Sequence, residues 1–109
     1  MKRRVAVAWA TIAEQDLAAI LDFVARGSPA SAARLLLRLE QRASSLETLP
    51  LRGRIVPELL KIQVREYREL LIGPYRLVYR VERARVVVLG VFDGRRNLED
   101  ILLDRLIGA

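Results

Sequence analysis

Arg65-Glu66-Tyr67-Arg68-Glu69-Leu70-Leu71-Ile72-Gly73-Pro74-Tyr75-Arg76-Leu77-Val78-Tyr79-Arg80-Val81 is the stretch that decides the fold. Aromatic and branched apolar residues are interleaved with arginines and glutamates on both sides of a Gly-Pro pair, a pattern that predicts two strands joined by a tight turn. With Gly73-Pro74 as a two-residue loop, Ile72 lies opposite Tyr75, Leu70 opposite Leu77 and Arg68 opposite Tyr79, giving one mainly apolar face. The other face pairs Leu71 with Arg76, Glu69 with Val78, Tyr67 with Arg80 and Arg65 with Glu82, and is the candidate working surface. A tight Arg83-Ala84 turn then sets Val87, Leu89 and Val91 beside Arg80, Val78 and Arg76 on that same face. A basic surface with an apolar floor is expected to be covered by something. A slip of one residue would exchange the two faces.

Outward from this hairpin, strands are expected over about 63–72, 75–82 and 85–93. Upstream, Val5, Val7 and Trp9 alternate with alanines, which predicts a first strand over 3–9. Thr11 and Glu14 have capping-box spacing, and Leu17, Ile20, Leu21 and Val24 form one face of a helix ending before Gly27. Ser28-Pro29 opens a second helix as N-cap and first helical residue, with Ala32, Leu35, Leu36, Leu39, Ala43 and Leu46 as its stripe. The short break makes the two helices antiparallel neighbours. Residues 50–60 lose periodicity and read as a loop with one helical turn near Glu58-Leu59-Leu60. Asn97 with Asp100 predicts a capped C-terminal helix carrying Leu98, Ile101, Leu102 and Leu106. The expected architecture is a single α+β domain over 1–109, ordered β-α-α-β-β-β-α. A helical hairpin packs on a small, mostly antiparallel twisted sheet.

The chain of 109 residues has 52% hydrophobic and 29% charged residues, enough for one packed core. It has no cysteine and no histidine, so disulfides, thiolate chemistry, the commonest metal ligand and the commonest general base are all missing. No metal and no cofactor are expected. No apolar run reaches the roughly 20 residues that span a bilayer, and a cytoplasmic location is expected. The net charge of +6 and pI near 10.7 favour a polyanionic partner, nucleic acid or an acidic protein segment. Equally, all the basic residues except Lys2 and Lys61 are arginine, a bias that nucleotide composition alone can produce.

Nearly the whole chain resembles the RelE/ParE superfamily of small bacterial toxins. The resemblance is carried by Trp9, Asp16-Leu17 and Ile20, Ser28-Pro29 with Ala32-Ala33, Leu49-Pro50, and Gly53-Arg54. It is strongest over Tyr67-Arg68-Glu69-Leu70 and Tyr75 to Val81. It implies the toxic half of a type II toxin–antitoxin module, the plasmid-stabilisation type included, neutralised by a cognate antitoxin, ParD-like or similar, and able to form a homodimer when free. The RelE-like branch cleaves mRNA in the ribosome and needs a base, an acid and cations for the phosphorane. The ParE-like branch poisons DNA gyrase by binding.

Arg76 matches an arginine that RelE-like nucleases use on phosphate. Tyr67 and Glu69 stand where those enzymes carry lysines, Phe92 where many relatives have histidine, and Asp100 near the position of a catalytic tyrosine. Arginine, with a pKa above about 12, is a poor proton carrier. The expectation is therefore a ParE-like binding toxin without catalytic residues. Its contacts to target or antitoxin would come from Arg65, Tyr67, Arg76, Arg80, Val87, Leu89, Val91, Arg95 and Arg96. The alternative is a ribosome-dependent ribonuclease using Arg76, Arg95 or Arg96 with Glu66, Glu69 or Tyr67. A third possibility is a non-toxic binding module on the same fold. Each arginine also has a structural reading, Arg76 and Arg80 as ion-pair partners of Glu66, Glu69 and Glu82.

Overall fold

The computed structural model describes residues 4–108. Strand β1 (Ala6–Trp9) leads into helices α1 (Thr11–Gly27) and α2 (Pro29–Ser44), and a 3₁₀ turn (Ser45–Glu47) ends the hairpin. Then come a two-residue strand β2 (Arg54–Ile55), a helical turn α3 (Pro57–Leu60) and strands β3 (Tyr67–Ile72), β4 (Tyr75–Val81) and β5 (Arg85–Asp93). A short helix α4 (Glu99–Leu102) runs into a wider π turn (Leu103–Ile107). The sheet order is β1-β5-β4-β3-β2, with β1 parallel to β5 and every other neighbour antiparallel. This is the expected α+β arrangement with one strand added. Residue 3 of the predicted first strand lies outside the described residues.

The hairpin register is the predicted one: Ile72 faces Tyr75, Leu70 faces Leu77, Arg68 faces Tyr79 and Tyr67 faces Arg80. Gly73 has φ 58°, while the ring of Pro74 holds its own φ negative, the combination a type II′ turn requires. The expected Arg65–Glu82 pair falls beyond the ladder, because β3 begins at Tyr67.

The third strand corrects the prediction. The β4–β5 ladder jumps between Val78 and Tyr79, which pair with Gly90 and Val88, leaving Leu89 as an extra residue in a β-bulge. Beyond the bulge the faces exchange. Phe92, and not Val91, stands beside Arg76, while Val91 joins Leu77 on the opposite face.

Both faces of the sheet are covered. Leu70, Ile72, Tyr75, Leu77, Tyr79, Val86, Val88 and Val91 pack against Ala13, Leu39, Ala43 and Leu46 of the helical hairpin. On the other side Tyr67, Val78 and Phe92 pack with Val56 and Leu59 at the start of α3 and with Leu98 and Leu102 of the C-terminal segment. The face read as an open working surface is thus largely covered by the chain's own end.

Ser28 caps α2 as expected, its Oγ accepting from the Ser31 N–H at 3.1 Å. Thr11 does not cap α1. The N-cap is Ala10 without a side-chain bond, and Thr11 is already helical. At the C terminus Asn97 Oδ1 accepts from the Glu99 N–H at 3.3 Å, a turn contact in place of the predicted capping box.

Gly53 marks where the loop after α2 touches the sheet. Its N–H donates to Tyr79 Oη at 2.9 Å, and Arg68 Nη1 donates to its carbonyl at 2.8 Å. A Cβ here would lie 2.6 Å from the Glu69 carbonyl oxygen and 2.7 Å from Tyr79 Oη. Gly53→Ala is accordingly expected to cost about 1–3 kcal/mol, read as a lower urea midpoint with an unchanged slope.

Candidate functional site

The cleft beside the hairpin turn brings together two of the predicted arginines, Arg76 and Arg95, with Arg54. Arg54, Leu71, Gly73, Pro74, Tyr75, Arg76, Gly94 and Arg95 line about 300 Å³. Its floor is an ion network built by strand pairing. Glu69 is 1% exposed and sits across from Arg54 in the β2–β3 ladder. Glu69 Oε2 accepts from Arg54 Nε at 2.7 Å, and Oε1 accepts from Arg76 Nε at 2.6 Å. The two terminal nitrogens of Arg76 form a fork onto Glu58, Nη1 to Oε2 at 2.7 Å and Nη2 to Oε1 at 2.6 Å.

This geometry fixes protonation. The Glu58 hydrogen bond, with Glu69 adding to it against burial, raises the Arg76 pKa further, so Arg76 stays a cation at any accessible pH. The Arg76 hydrogen bonds in turn hold Glu58 below the usual carboxylate range. Two carboxylates and two guanidiniums therefore compensate one another locally. Neither Arg54 nor Glu58 was singled out as a site residue by sequence reasoning. The signal for Arg54 was Gly53-Arg54 near a strand edge, but a two-residue strand is too short to show alternation.

The other predicted residues are dispersed. Tyr67 is buried in the second core, its hydroxyl donating to the Leu106 carbonyl at 3.1 Å, with the Arg80 guanidinium 6.0 Å over its ring. Arg80 donates to Glu82 at 3.0 Å, a contact that raises its pKa. Arg65 is exposed and donates to Gln63 Oε1 at 3.1 Å, and Glu66 is exposed beside it. Val87 and Leu89 are half-buried, and Val91 is buried on the helical face. Arg95 holds Asp93 through two side-chain bonds of 2.9 and 2.7 Å, which with the Arg95 N–H lower the Asp93 pKa to about 2. Arg96 is exposed and lines a separate groove of about 180 Å³ with Asp16, Phe92 and Ile101.

Asp16 has a structural role. Its carboxylate accepts from the Val91 N–H just past the bulge at 3.1 Å and from Arg105 at 2.8 and 3.1 Å. Since Arg105 also lies 5.0 Å over the Phe92 ring, this cluster clamps the C-terminal segment to the sheet. Among the described residues no group of three acidic, histidine or cysteine side chains is placed to hold a metal, and no helix is long and apolar enough to cross a membrane.

The fold is similar to that of the chromosomal ParDE TA system from P. aeruginosa, with TM-score 0.67 and 22% identity over 83% of this chain and 96% of that one. It is also similar to the toxin–antitoxin complex RelBE2 of Mycobacterium tuberculosis, with TM-score 0.58 and 26% identity over 84% of this chain and 92% of that one. Toxin RelE2 of Caulobacter vibrioides is 40% identical over 76 residues, 69% of this chain and 78% of the relative. A family model described as ParE toxin of type II toxin–antitoxin system, parDE, matches residues 7–98. That match runs from β1 to the start of the C-terminal segment, and the chain belongs to the ParE toxin family, within the RelE/ParE superfamily of type II toxin–antitoxin toxins.

Proposed function

We propose that this toxin acts in the cytoplasm by binding DNA gyrase and arresting it, and that a cognate antitoxin neutralises it. The observation that carries this reading is the occupancy of the candidate proton carriers around Arg76. Both oxygens of Glu69 already accept from arginines, and the Tyr67 hydroxyl is committed to the Leu106 carbonyl. A general base must reach the proton it abstracts within hydrogen-bond distance, and these two groups are spoken for by the fold. The arginine that a phosphodiester would need is held by Glu58 and Glu69. What stays exposed are basic side chains at separate places, Arg65 before β3 and Arg95 and Arg96 past the end of β5, suited to contacts with a protein–nucleic acid assembly. The antitoxin partner is supported by the relatives, since the neighbouring structures are described as a ParDE system and a RelBE2 complex.

Substitution of the proton carriers tests it. Glu66→Gln and Tyr67→Phe are expected to leave growth arrest unchanged when each variant is induced at equal protein level. If the toxin were a ribosome-dependent ribonuclease and either residue moved a proton, mRNA cleavage would drop by about 10²–10⁴-fold. Such a drop in a folded variant would replace gyrase with the ribosome as the target.

A further inference from the structure

One edge of the molecule is lined by arginines without carboxylate partners. Arg34, Arg38 and Arg42 follow one another at four-residue steps along α2, so they share one helix face at intervals of about 6 Å. This face borders the outer edge of β3 where β2 no longer pairs with it. There Arg42 Nη1 donates to the Leu71 carbonyl at 3.3 Å, and Arg38 Nη1 lies 3.5 Å from where a Cβ on Gly73 would stand. Further along the same edge Arg68 Nη1 donates to the Leu51 and Gly53 carbonyls at 3.4 and 2.8 Å. Arg52 stands nearby: burial raises the Tyr79 pKa, and the Gly53 N–H with the guanidiniums of Arg68 and Arg52 works against that rise. Among the described residues none of these five arginines pairs with a carboxylate. Arg34 also bonds to a neutral oxygen, Ser31 Oγ at 3.1 Å. Neutral acceptors thus hold Arg34, Arg42 and Arg68 in place and leave their charge uncompensated.

We infer that this arginine edge binds the phosphate backbone of duplex DNA without reading its sequence. Cations spaced regularly along a straight helix suit a regular polyanion, and the arginine fork matches phosphate oxygens. Arg42 and Arg68, tied to main-chain carbonyls, are held back from a groove where base edges would be read. A single strand would need exposed aromatic faces on which its bases could stack, and Tyr75 and Tyr79 on the neighbouring strand are buried. The contact goes beyond the proposed arrest of gyrase and needs no gyrase, so either reading can fail without the other.

Fluorescence anisotropy of a labelled short DNA duplex, titrated with the purified protein across a salt series, tests this. Contacts from the five arginines give a slope of log affinity on log salt of about −4 to −5, unchanged when the duplex sequence is shuffled. Arg38 is exposed, so Arg38→Gln leaves the fold intact; it is expected to weaken binding about tenfold near 0.1 M salt and to flatten the slope by about 1. Arg38→Gln with Arg42→Gln should cost about 10²-fold. Arg83→Gln with Lys61→Gln removes the same charge away from this edge and should change affinity by less than about twofold, since distant exposed charges are screened. Absence of binding at low salt, a slope near zero, or equal losses from the two double variants overturns the inference. Tighter binding of duplex RNA or of single-stranded DNA overturns it as well.

Discussion

Arg76→Ala is expected to destabilise the protein by about 3 kcal/mol, the lower end of what breaking a buried ion pair costs. It is the lower end because Glu69 keeps Arg54 when Arg76 is gone, while Glu58 loses both of its bonds. The loss appears as a fall in the urea midpoint with an unchanged slope. Acid denaturation gives an independent readout. Glu58 has its pKa lowered by Arg76, so its contribution is fully present above the ordinary carboxylate range and fades as pH falls through the lowered folded value. Arg76→Ala removes that contribution and should flatten the acid limb of the stability curve. Arg95→Ala, which breaks only an exposed pair with Asp93, should leave the midpoint nearly unchanged. A loss of toxicity in Arg76→Ala therefore has to be read against its folded fraction before any contact is assigned to this residue.

Leu102→Ala is the second large effect, expected to cost about 2–5 kcal/mol. Leu102 is fully buried where the C-terminal segment meets Tyr67, Val78 and Phe92. Truncating it leaves a cavity under a four-residue helix that has no side-chain cap. The clamp from Arg105 to Asp16 persists, so the segment should loosen without leaving the sheet. Faster amide exchange confined to residues 98–107 and to the facing strands, with α1 and α2 unchanged, is the pattern that checks this. Uniform acceleration across the chain would mean that the segment and the helical hairpin unfold as one unit.

How much of this was legible in the sequence depended on what pins each element. Gly73-Pro74 left the turn type and the exact register open, because proline more often takes the first central position, but the alternation on both sides fits a two-residue loop, and that loop sets the pairs observed in the hairpin. Val86-Val87-Val88-Leu89-Gly90-Val91 has no such alternation. Apolar residues suit both faces of a sheet covered on both sides, so nothing in the run except Gly90 announced the bulge that moves Val91 away from Arg76. The leucines of the C-terminal segment were visible as a stripe. Their docking place was not, because a stripe states that a face is buried and not against what. The same gap made the sheet face look open and Tyr67 look available. Arg76, expected as a contact residue, lies in the ion network under the cleft. Its partner Glu58 was missed because contacts made eighteen residues apart through a loop leave no periodic trace.

The proposed arrest of gyrase is tested most directly by adding the purified protein to gyrase, ATP and relaxed plasmid, with a parallel translation reaction programmed with a defined mRNA. Supercoiling is expected to stop in the first reaction and the mRNA to stay intact in the second. Normal supercoiling together with mRNA cut in the ribosome would contradict it.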